Sequence, residues 1–153
     1  MGVVTDRLRD AGMVLPAAPA AVGSYVPATR VGDLVFTSGQ LPFAEGNLIA
    51  SGVVGADVTL EVAAECARRC ALNALAAAST VCELDEVLGV AKLVGYVASA
   101  ADFTRQPAVI DGASEVLRIA FGDAGQHARE AVGVASLPLG APVEVSIVIA
   151  LRG

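Results

Sequence analysis

The segment from His127 to Ala150 constrains the fold of this chain more than any other part of the sequence. It is almost entirely apolar and predicts two strands, one beginning near Arg129 and one near Glu144. In the second strand alternate residues are apolar, which is typical of a strand that buries one face. If the two strands pair, both charges are partly desolvated. The sequence then places a guanidinium on a mostly apolar surface without a competing carboxylate.

Arg129 and Glu144 are therefore candidate catalytic residues. The planar fork of an arginine matches a carboxylate through two parallel hydrogen bonds, so Arg129 is a candidate binding group for a small organic acid. A second carboxylate close by, Glu144, could move protons on the bound molecule. The structural alternatives are that Arg129 pairs with Glu144 or with a helix end, and that Glu144 is an exposed strand residue.

The composition of the chain narrows the classes of protein to which it can belong. The chain has 153 residues, of which 55% are hydrophobic and only 4% aromatic. A chain this short and apolar has surface to bury, so we expect an oligomer. The net charge is −6 and Lys92 is the single lysine, which disfavours nucleic-acid binding. No apolar run is long enough for a membrane span, and the charged N-terminal residues are not typical of a signal peptide, which predicts a cytoplasmic protein.

The cysteines Cys66, Cys70 and Cys82 do not predict a disulfide framework, because their number is odd and they lie in an apolar helical stretch. Cys66 and Cys70 share one helix face, but the sequence offers a single histidine and no second cysteine pair to complete a zinc site. We expect buried thiols that behave as small apolar groups, and no metal site.

Hydrophobic periodicity and turn residues predict one α+β domain over residues 1–153, with the order βββαβαββ or close to it. A hairpin turns at Gly32-Asp33, Thr59 caps the first long helix, and Gly122 closes the second. A short helix is predicted at 5–12, a loop at 16–27 and a short strand near Leu48. The main strands are predicted at 26–30, 34–38, 90–98, 130–136 and 143–151, and the long helices at 60–81 and 109–121.

Three segments resemble the RidA/YjgF family of reactive-intermediate deaminases, for which an older label is endoribonuclease L-PSP. They are GSYVPATRVGDLVFTSGQLP, the alanine-rich helix with its following strand, and ARxxVGVxxLPxxxxVEV, and together they cover most of the chain from Val22 onward. The resemblance implies a chorismate-mutase-like fold, with a mixed sheet packed on two helices. It also implies a barrel-like homotrimer with a pocket at each subunit interface.

The resemblance further implies that imines and enamines derived from amino acids are hydrolysed there without a metal or organic cofactor. The family's carboxylate-binding arginine falls on Arg129, and its water-activating glutamate falls on Glu144. The family tyrosine of the first strand falls on Tyr25. The serine and glycine at the end of the second strand fall on Ser38 and Gly39, so that Tyr25, Ser38, Gly39 and Arg129 are the predicted substrate-binding residues.

The sequence also departs from the family pattern. Ala131 stands where the archetype has a cysteine, two residues after the arginine. The segment from Asp102 to Arg129 is longer than in short members, which marks a longer subgroup. The archetype's pocket asparagine has no clear counterpart, and Asp111 is only a loose candidate for it. Alternation would place His127 on the same strand face as Arg129, and a loop position is the alternative.

Three functions compete at this point. The first is hydrolysis of a 2-imino acid to a 2-keto acid and ammonia. The second is a non-catalytic trimer that binds small carboxylate metabolites with the same arginine. The third is endoribonuclease activity, which the acidic charge and the lone histidine disfavour.

Overall fold

A computed structural model describes residues 2–20 and 23–153. These residues form three α-helices and seven strands, with short 3₁₀ turns at Leu84–Glu86, Gly122–Gly125 and Pro138–Gly140. The helices are α1 (Val3–Asp10), α2 (Leu60–Ala78) and α3 (Gln106–Phe121). The strands are β1 (Ala28–Val31), β2 (Leu34–Thr37), β3 (Phe43–Ala44), β4 (Asn47–Leu48), β5 (Val87–Ala98), β6 (Ala128–Val134) and β7 (Val143–Leu151).

Five strands form the main sheet in the order β1-β2-β7-β5-β6, and β3 pairs with β4 in a separate small hairpin. All neighbours in the main sheet are antiparallel except β5 and β6, which run parallel. This exception follows from the connection, because α3 crosses over between β5 and β6 and returns the chain in the same direction. The edge strands of the sheet are therefore β1 and β6.

One face of the sheet carries α2 and α3, and the core lies between them. In β7 the residues Val143, Val145, Ile147, Ile149 and Leu151 are all buried on that face, as the alternating sequence predicted. On α2 the core side is built from alanines and cysteines, among them Ala63, Cys66, Cys70 and Ala74, each fully buried. These small side chains let α2 pack closely on both the sheet and α3.

The other face of the sheet has no helix over it among the described residues. It presents mainly apolar side chains that are exposed or half-buried, including Phe36, Val94, Tyr96, Val132 and Val148. Phe36 and Val132 are 39% and 43% exposed, which is unusual for large apolar residues aligned on one surface.

The predicted helices and strands are confirmed with shifts of a few residues at their ends. The Gly32-Asp33 turn joins β1 to β2, Thr59 Oγ1 accepts a hydrogen bond from the Val62 amide, and Gly122 closes α3 with a φ of 62°. Helix α2 ends at Ala78 rather than near Val81. The predicted loop at 16–27 is confirmed at 16–20 and 23–27, and Ala21 and Val22 lie outside the described residues.

Candidate active site

Arg129 and Glu144 do not lie side by side within one chain. The expectation that their strands pair is wrong, because β5 lies between β6 and β7. Arg129 is in register with Leu93, whose side chain faces the helices, whereas Glu144 is in register with Tyr96 on the open face. Two strand spacings and three residues separate them, about 14 Å between their Cα atoms. One chain therefore supplies two separate half-sites.

The Arg129 half-site is built on α3 and the start of β6. Arg129 Nη1 donates to Asp111 Oδ1 at 2.7 Å and to Ser114 Oγ at 3.1 Å. The Arg129 side chain is 25% exposed, and Asp111 is 68% exposed. Thus the prediction of a carboxylate-free surface around Arg129 is wrong, since Asp111 pairs with it across 18 residues of sequence. Arg129 is nevertheless not turned out into bulk solvent.

The pairing still leaves part of the guanidinium available. Both hydrogens of Nη1 are used by Asp111 and Ser114. Within residues 2–20 and 23–153, Nε and Nη2 of Arg129 have no hydrogen-bond partner. These two nitrogens form one edge of the fork, and that edge has the spacing that a carboxylate needs for two parallel hydrogen bonds. The half-site opens into a shallow polar depression, whose lining includes Ser114, Gln126 and His127.

The Glu144 half-site is a cavity of about 300 Å³ between the end of β2, the start of β7 and the loop before β1. Its walls are mostly apolar and are formed by Pro19, Ala20, Tyr25, Pro27, Gly39, Gln40, Leu41, Phe43 and Pro138, with Glu144 as the acidic group. On one side the backbone is held by α2, where Arg69 Nε donates to the Phe43 carbonyl at 2.6 Å and Asn73 Nδ2 donates to the Leu41 carbonyl at 2.9 Å.

Gly39 lets the Glu144 carboxylate lie directly against the backbone. A Cβ at position 39 would stand 2.5 Å from Glu144 Oε2 and 2.8 Å from its Cδ, closer than real side-chain contacts allow. Backbone bonds on either side hold this glycine in place: the Ser38 amide donates to the Pro27 carbonyl at 2.7 Å, and Gln40 exchanges two bonds with Val145. The backbone at Gly39 is therefore held in place, and the missing side chain leaves room for the carboxylate beside it.

Burial sets the proton affinity of this carboxylate. Desolvation raises the pKa of Glu144 above its ordinary value, because the charged form loses contact with water. No described residue donates a hydrogen bond to the carboxylate or forms an ion pair with it. A partly desolvated carboxylate with a raised pKa, lining a cavity, is a candidate general base.

Of the other predicted substrate-binding residues, two line the Glu144 cavity and one holds the backbone beside it. Tyr25 lines the cavity and is 65% exposed, so its ring forms part of the rim. Ser38 does not line it; its hydroxyl donates to the Val26 carbonyl at 2.6 Å and so ties the end of β2 to the segment before β1. Gly39 lines the cavity next to Glu144.

The sequence did not identify the partners of Arg129. Asp111 was a loose candidate for a different role, and Ser114 was not considered. For His127 the loop alternative is confirmed, because β6 begins at Ala128, and from that loop its ring lines the same depression as Arg129. The α3 residues at positions 111 and 114 lie three apart, so they share one helix face, but which strand that face covers cannot be read from spacing alone.

The fold and the two half-sites define a class: a small α+β protein with a partly open arginine fork on an edge strand and a half-buried acid in a cavity. The family described as "YjgF/chorismate mutase-like, putative endoribonuclease" matches residues 5–151. The chain belongs to this family, and its structure is that family's chorismate-mutase-like fold.

Relatives resemble the chain over nearly its full length. Protein TCP17 from Trypanosoma cruzi is 40% identical over 99% of this chain and 96% of its own. A crystal structure described as a putative endoribonuclease from Shewanella oneidensis superposes with a TM-score of 0.93, at 34% identity, over 98% of this chain and all of the other. E. coli TdcF with bound serine is more distant, with a TM-score of 0.60 and 26% identity over 89% and 94% of the two chains.

The helices give no sign of membrane insertion. Within the part of the chain that the structure describes, none of them combines the length and apolar character needed to cross a bilayer.

Proposed function

We propose that this protein hydrolyses reactive 2-imino acids, and the enamines in equilibrium with them, to 2-keto acids and ammonia. The observation that carries the proposal is the half-buried Glu144 carboxylate, which lies against Gly39 in a largely apolar cavity and has no partner among the described residues. Even partial burial of an acid without a partner costs stability, so its presence is more readily explained by chemistry than by stability.

The complete pocket is proposed to form between subunits. Arg129 stands on β6, one edge of the sheet, while the Glu144 cavity opens beside the segment that leads into β1, the other edge. In a cyclic assembly each subunit presents one surface to a different surface of the next. Such a ring brings the Arg129 half-site of one subunit toward the Glu144 half-site of its neighbour.

The open face of the sheet supports this assembly. Its apolar side chains, such as Phe36 and Val132, stay 39% and 43% exposed, and no helix among the described residues covers them. A second copy of the chain would bury them, and burial yields about 25 cal/mol for each Å² of apolar surface. The homotrimer that the family resemblance predicts would place three such faces around its axis, with one pocket at each interface.

The mechanism follows from the two half-sites. The Nε/Nη2 edge of Arg129 holds the substrate carboxylate, with charge-assisted hydrogen bonds worth about 1.5–3 kcal/mol. Glu144 takes one proton from a water molecule while the water oxygen bonds to the imine carbon. The proton passes to the nitrogen, the C–N bond breaks, and both hydrogens of the water finally reside on ammonia as the 2-keto group forms. Protein side chains and water supply every step.

A relative offers a parallel for the ligand. The TdcF structure contains bound serine, an amino acid whose carboxylate is the group that Arg129 would hold here. The description "putative endoribonuclease" is attached to other relatives. We do not favour that activity for this chain, because a net charge of −6 repels a polyanion and its single histidine lies in the Arg129 half-site.

The alternative function is binding of carboxylate metabolites without catalysis. One observation favours it: the open edge of the Arg129 fork does not depend on Glu144, so Arg129 can hold an anion even where the two half-sites do not meet. In that case 2-keto acids would bind, and Glu144→Gln would leave the binding unchanged.

An activity assay separates the two functions. A lyase generates 2-aminoacrylate in situ, and release of the keto acid is followed with and without this protein. We expect acceleration by the parent and a loss of about 10²–10⁴-fold in kcat for Glu144→Gln. Glu83→Gln, an exposed glutamate remote from both half-sites, is the matched control. Keto-acid binding by a parent that does not accelerate the reaction would establish the alternative.

Mixing two inactive variants tests the location of the pocket. Arg129→Ala and Glu144→Gln subunits are denatured, combined and refolded together. If each pocket takes Arg129 from one subunit and Glu144 from the next, about a quarter of the pockets regain both groups. If the pocket lies within one chain, no mixed assembly regains activity, and the proposal of a shared pocket is wrong.

A further inference from the structure

Arg129 is the first member of a chain of hydrogen bonds that continues through Ser114 to His127. Arg129 Nη1 donates to Ser114 Oγ at 3.1 Å, and Ser114 Oγ lies 2.9 Å from His127 Nε2. His127 Nδ1 lies 2.6 Å from the Gly125 carbonyl oxygen. All three side chains are partly buried, so these bonds are partly shielded from competing water.

The direction of each bond follows from the donor and acceptor inventory. A carbonyl only accepts, so His127 Nδ1 carries the proton that it shares with Gly125. Neutral imidazole then has a lone pair on Nε2, which accepts the hydroxyl proton of Ser114. Ser114 in turn has its oxygen lone pairs free for Arg129 Nη1. Each donor in the chain of hydrogen bonds therefore faces an acceptor.

The far end of the chain is fixed to α3. Gly125 is buried in the 3₁₀ turn Gly122–Gly125, which directly follows α3. A Cβ on Gly125 would collide with the backbone carbonyl of Leu117, so only glycine lets the turn pack this closely on the helix. Consequently the carbonyl that orients His127 moves with α3, and α3 also carries Asp111 and Ser114.

We propose that Ser114 and His127 are positioning residues: they fix the rotation of the Arg129 guanidinium so that its Nε/Nη2 edge, and not Nη1, faces the substrate carboxylate. This inference rests on the proposed function and assigns part of the long segment before Arg129 a role in it. Asp111 neutralises Arg129 but accepts a hydrogen bond only from Nη1. A second bond from that nitrogen, to Ser114, is needed to stop the guanidinium from rotating.

The tautomer of His127 tests the network without any reference to activity. His127 is the only histidine, so the imidazole nitrogens give a single set of ¹⁵N NMR signals. At a pH where the ring is neutral we expect the proton on Nδ1, and Ser114→Ala should alter the Nε2 signal. A parent ring protonated on Nε2 would overturn the hydrogen-bond order and with it the proposal.

Ligand binding tests the positioning role. Pyruvate is the probe, with pyruvamide, which lacks the negative carboxylate, as its neutral counterpart. We expect Ser114→Ala to weaken pyruvate binding by about five- to tenfold and pyruvamide binding hardly at all. Ser114→Thr keeps the hydroxyl and should restore most of the affinity. Ser79→Ala, which removes a serine at the end of α2, is the matched control.

A double-mutant cycle separates positioning from general damage. In an Arg129→Lys background, which has no planar fork to orient, Ser114→Ala should cost almost nothing further. If the loss is the same in both backgrounds, Ser114 does not act through Arg129 and the proposal fails. If the Nδ1 tautomer is found and pyruvate binds through Arg129 while the parent accelerates no hydrolysis, the network stands and the proposed enzymatic function fails.

Discussion

The two half-sites are built by different physical means. Around Arg129 the chain uses directional hydrogen bonds from α3 and β6, and the charge is neutralised by Asp111. Around Glu144 it uses shape: a glycine, several prolines and apolar side chains partly shield from water a carboxylate that has no partner among the described residues. The hydrogen bonds set the orientation of Arg129, whose charge is permanent. The shape of the cavity sets the proton affinity of Glu144, whose charge changes with pH.

Gly39→Ala should have the largest effect. Its methyl group would displace the Glu144 carboxylate, since no other position of the Cβ is available on a backbone held at both Ser38 and Gln40. We expect a loss of roughly 10²-fold or more in kcat with little change in the fold, measured by steady-state kinetics and circular dichroism. Gly89→Ala is the control, because its Cβ would meet only the Ala124 carbonyl oxygen, at 3.7 Å. Equal activities would show that shape does not define this half-site.

Arg129→Lys should have the next largest effect, and it tests the other half-site. Lysine keeps the charge but loses the planar fork, so about 1.5–3 kcal/mol of carboxylate binding should be lost. This corresponds to roughly 10–150-fold in the Kd of a 2-keto acid, measured by calorimetry. Arg30→Lys, on the exposed strand β1, should change nothing. An Arg129→Lys variant with parental affinity would mean that charge alone is recognised.

The pH dependence of Glu144 should appear in activity and, with a smaller effect, in stability. The raised pKa places the acid limb of kcat at higher pH than an ordinary glutamate would, because the base works only when ionised. For stability, a carboxyl whose pKa is raised on folding contributes fully below its unfolded pKa, and this contribution is lost as the pH rises through the folded pKa. Glu144→Gln should therefore unfold at a higher temperature than the parent at neutral pH, with the difference vanishing in acid. A lower melting temperature for the variant at neutral pH would contradict the assignment.

Thiol labelling should show the smallest effect and reports on the wall behind Glu144. Cys70 is fully buried on α2, and its thiol lies 3.6 Å from the carbonyl oxygen of Val143, the residue before Glu144. Burial raises the pKa of Cys70 well above the ordinary thiol range, and that of Cys66 to about 11. Both should resist iodoacetamide in the native protein, while the half-buried Cys82 reacts first. Labelling of Cys70 at the rate of Cys82 would show that α2 and β7 separate readily.

The sequence predicted what depends on local chemistry and periodicity. The alternation in β7 placed Glu144 on the face opposite the core, and Thr59 and Gly122 marked helix ends because each satisfies backbone groups there. It did not predict that β5 separates Arg129 from Glu144, although a signal was present: a strand, a helix and a strand in succession make a crossover, which favours parallel neighbours. The contact of Asp111 with Arg129 depends on how α3 lies over β6, which no local pattern specifies.

Because Gly39 and Glu144 lie so close together, the residue type at position 39 indicates, from sequence alone, whether a related protein has room for the acid beside the backbone. A homologue with a larger residue there would have to move its acid away from the backbone, even if every other pocket residue were identical. Related sequences could thus be sorted by whether they have glycine or a larger residue at this position. The group with a larger residue would be the place to look for proteins that bind the ligand but do not catalyse the reaction.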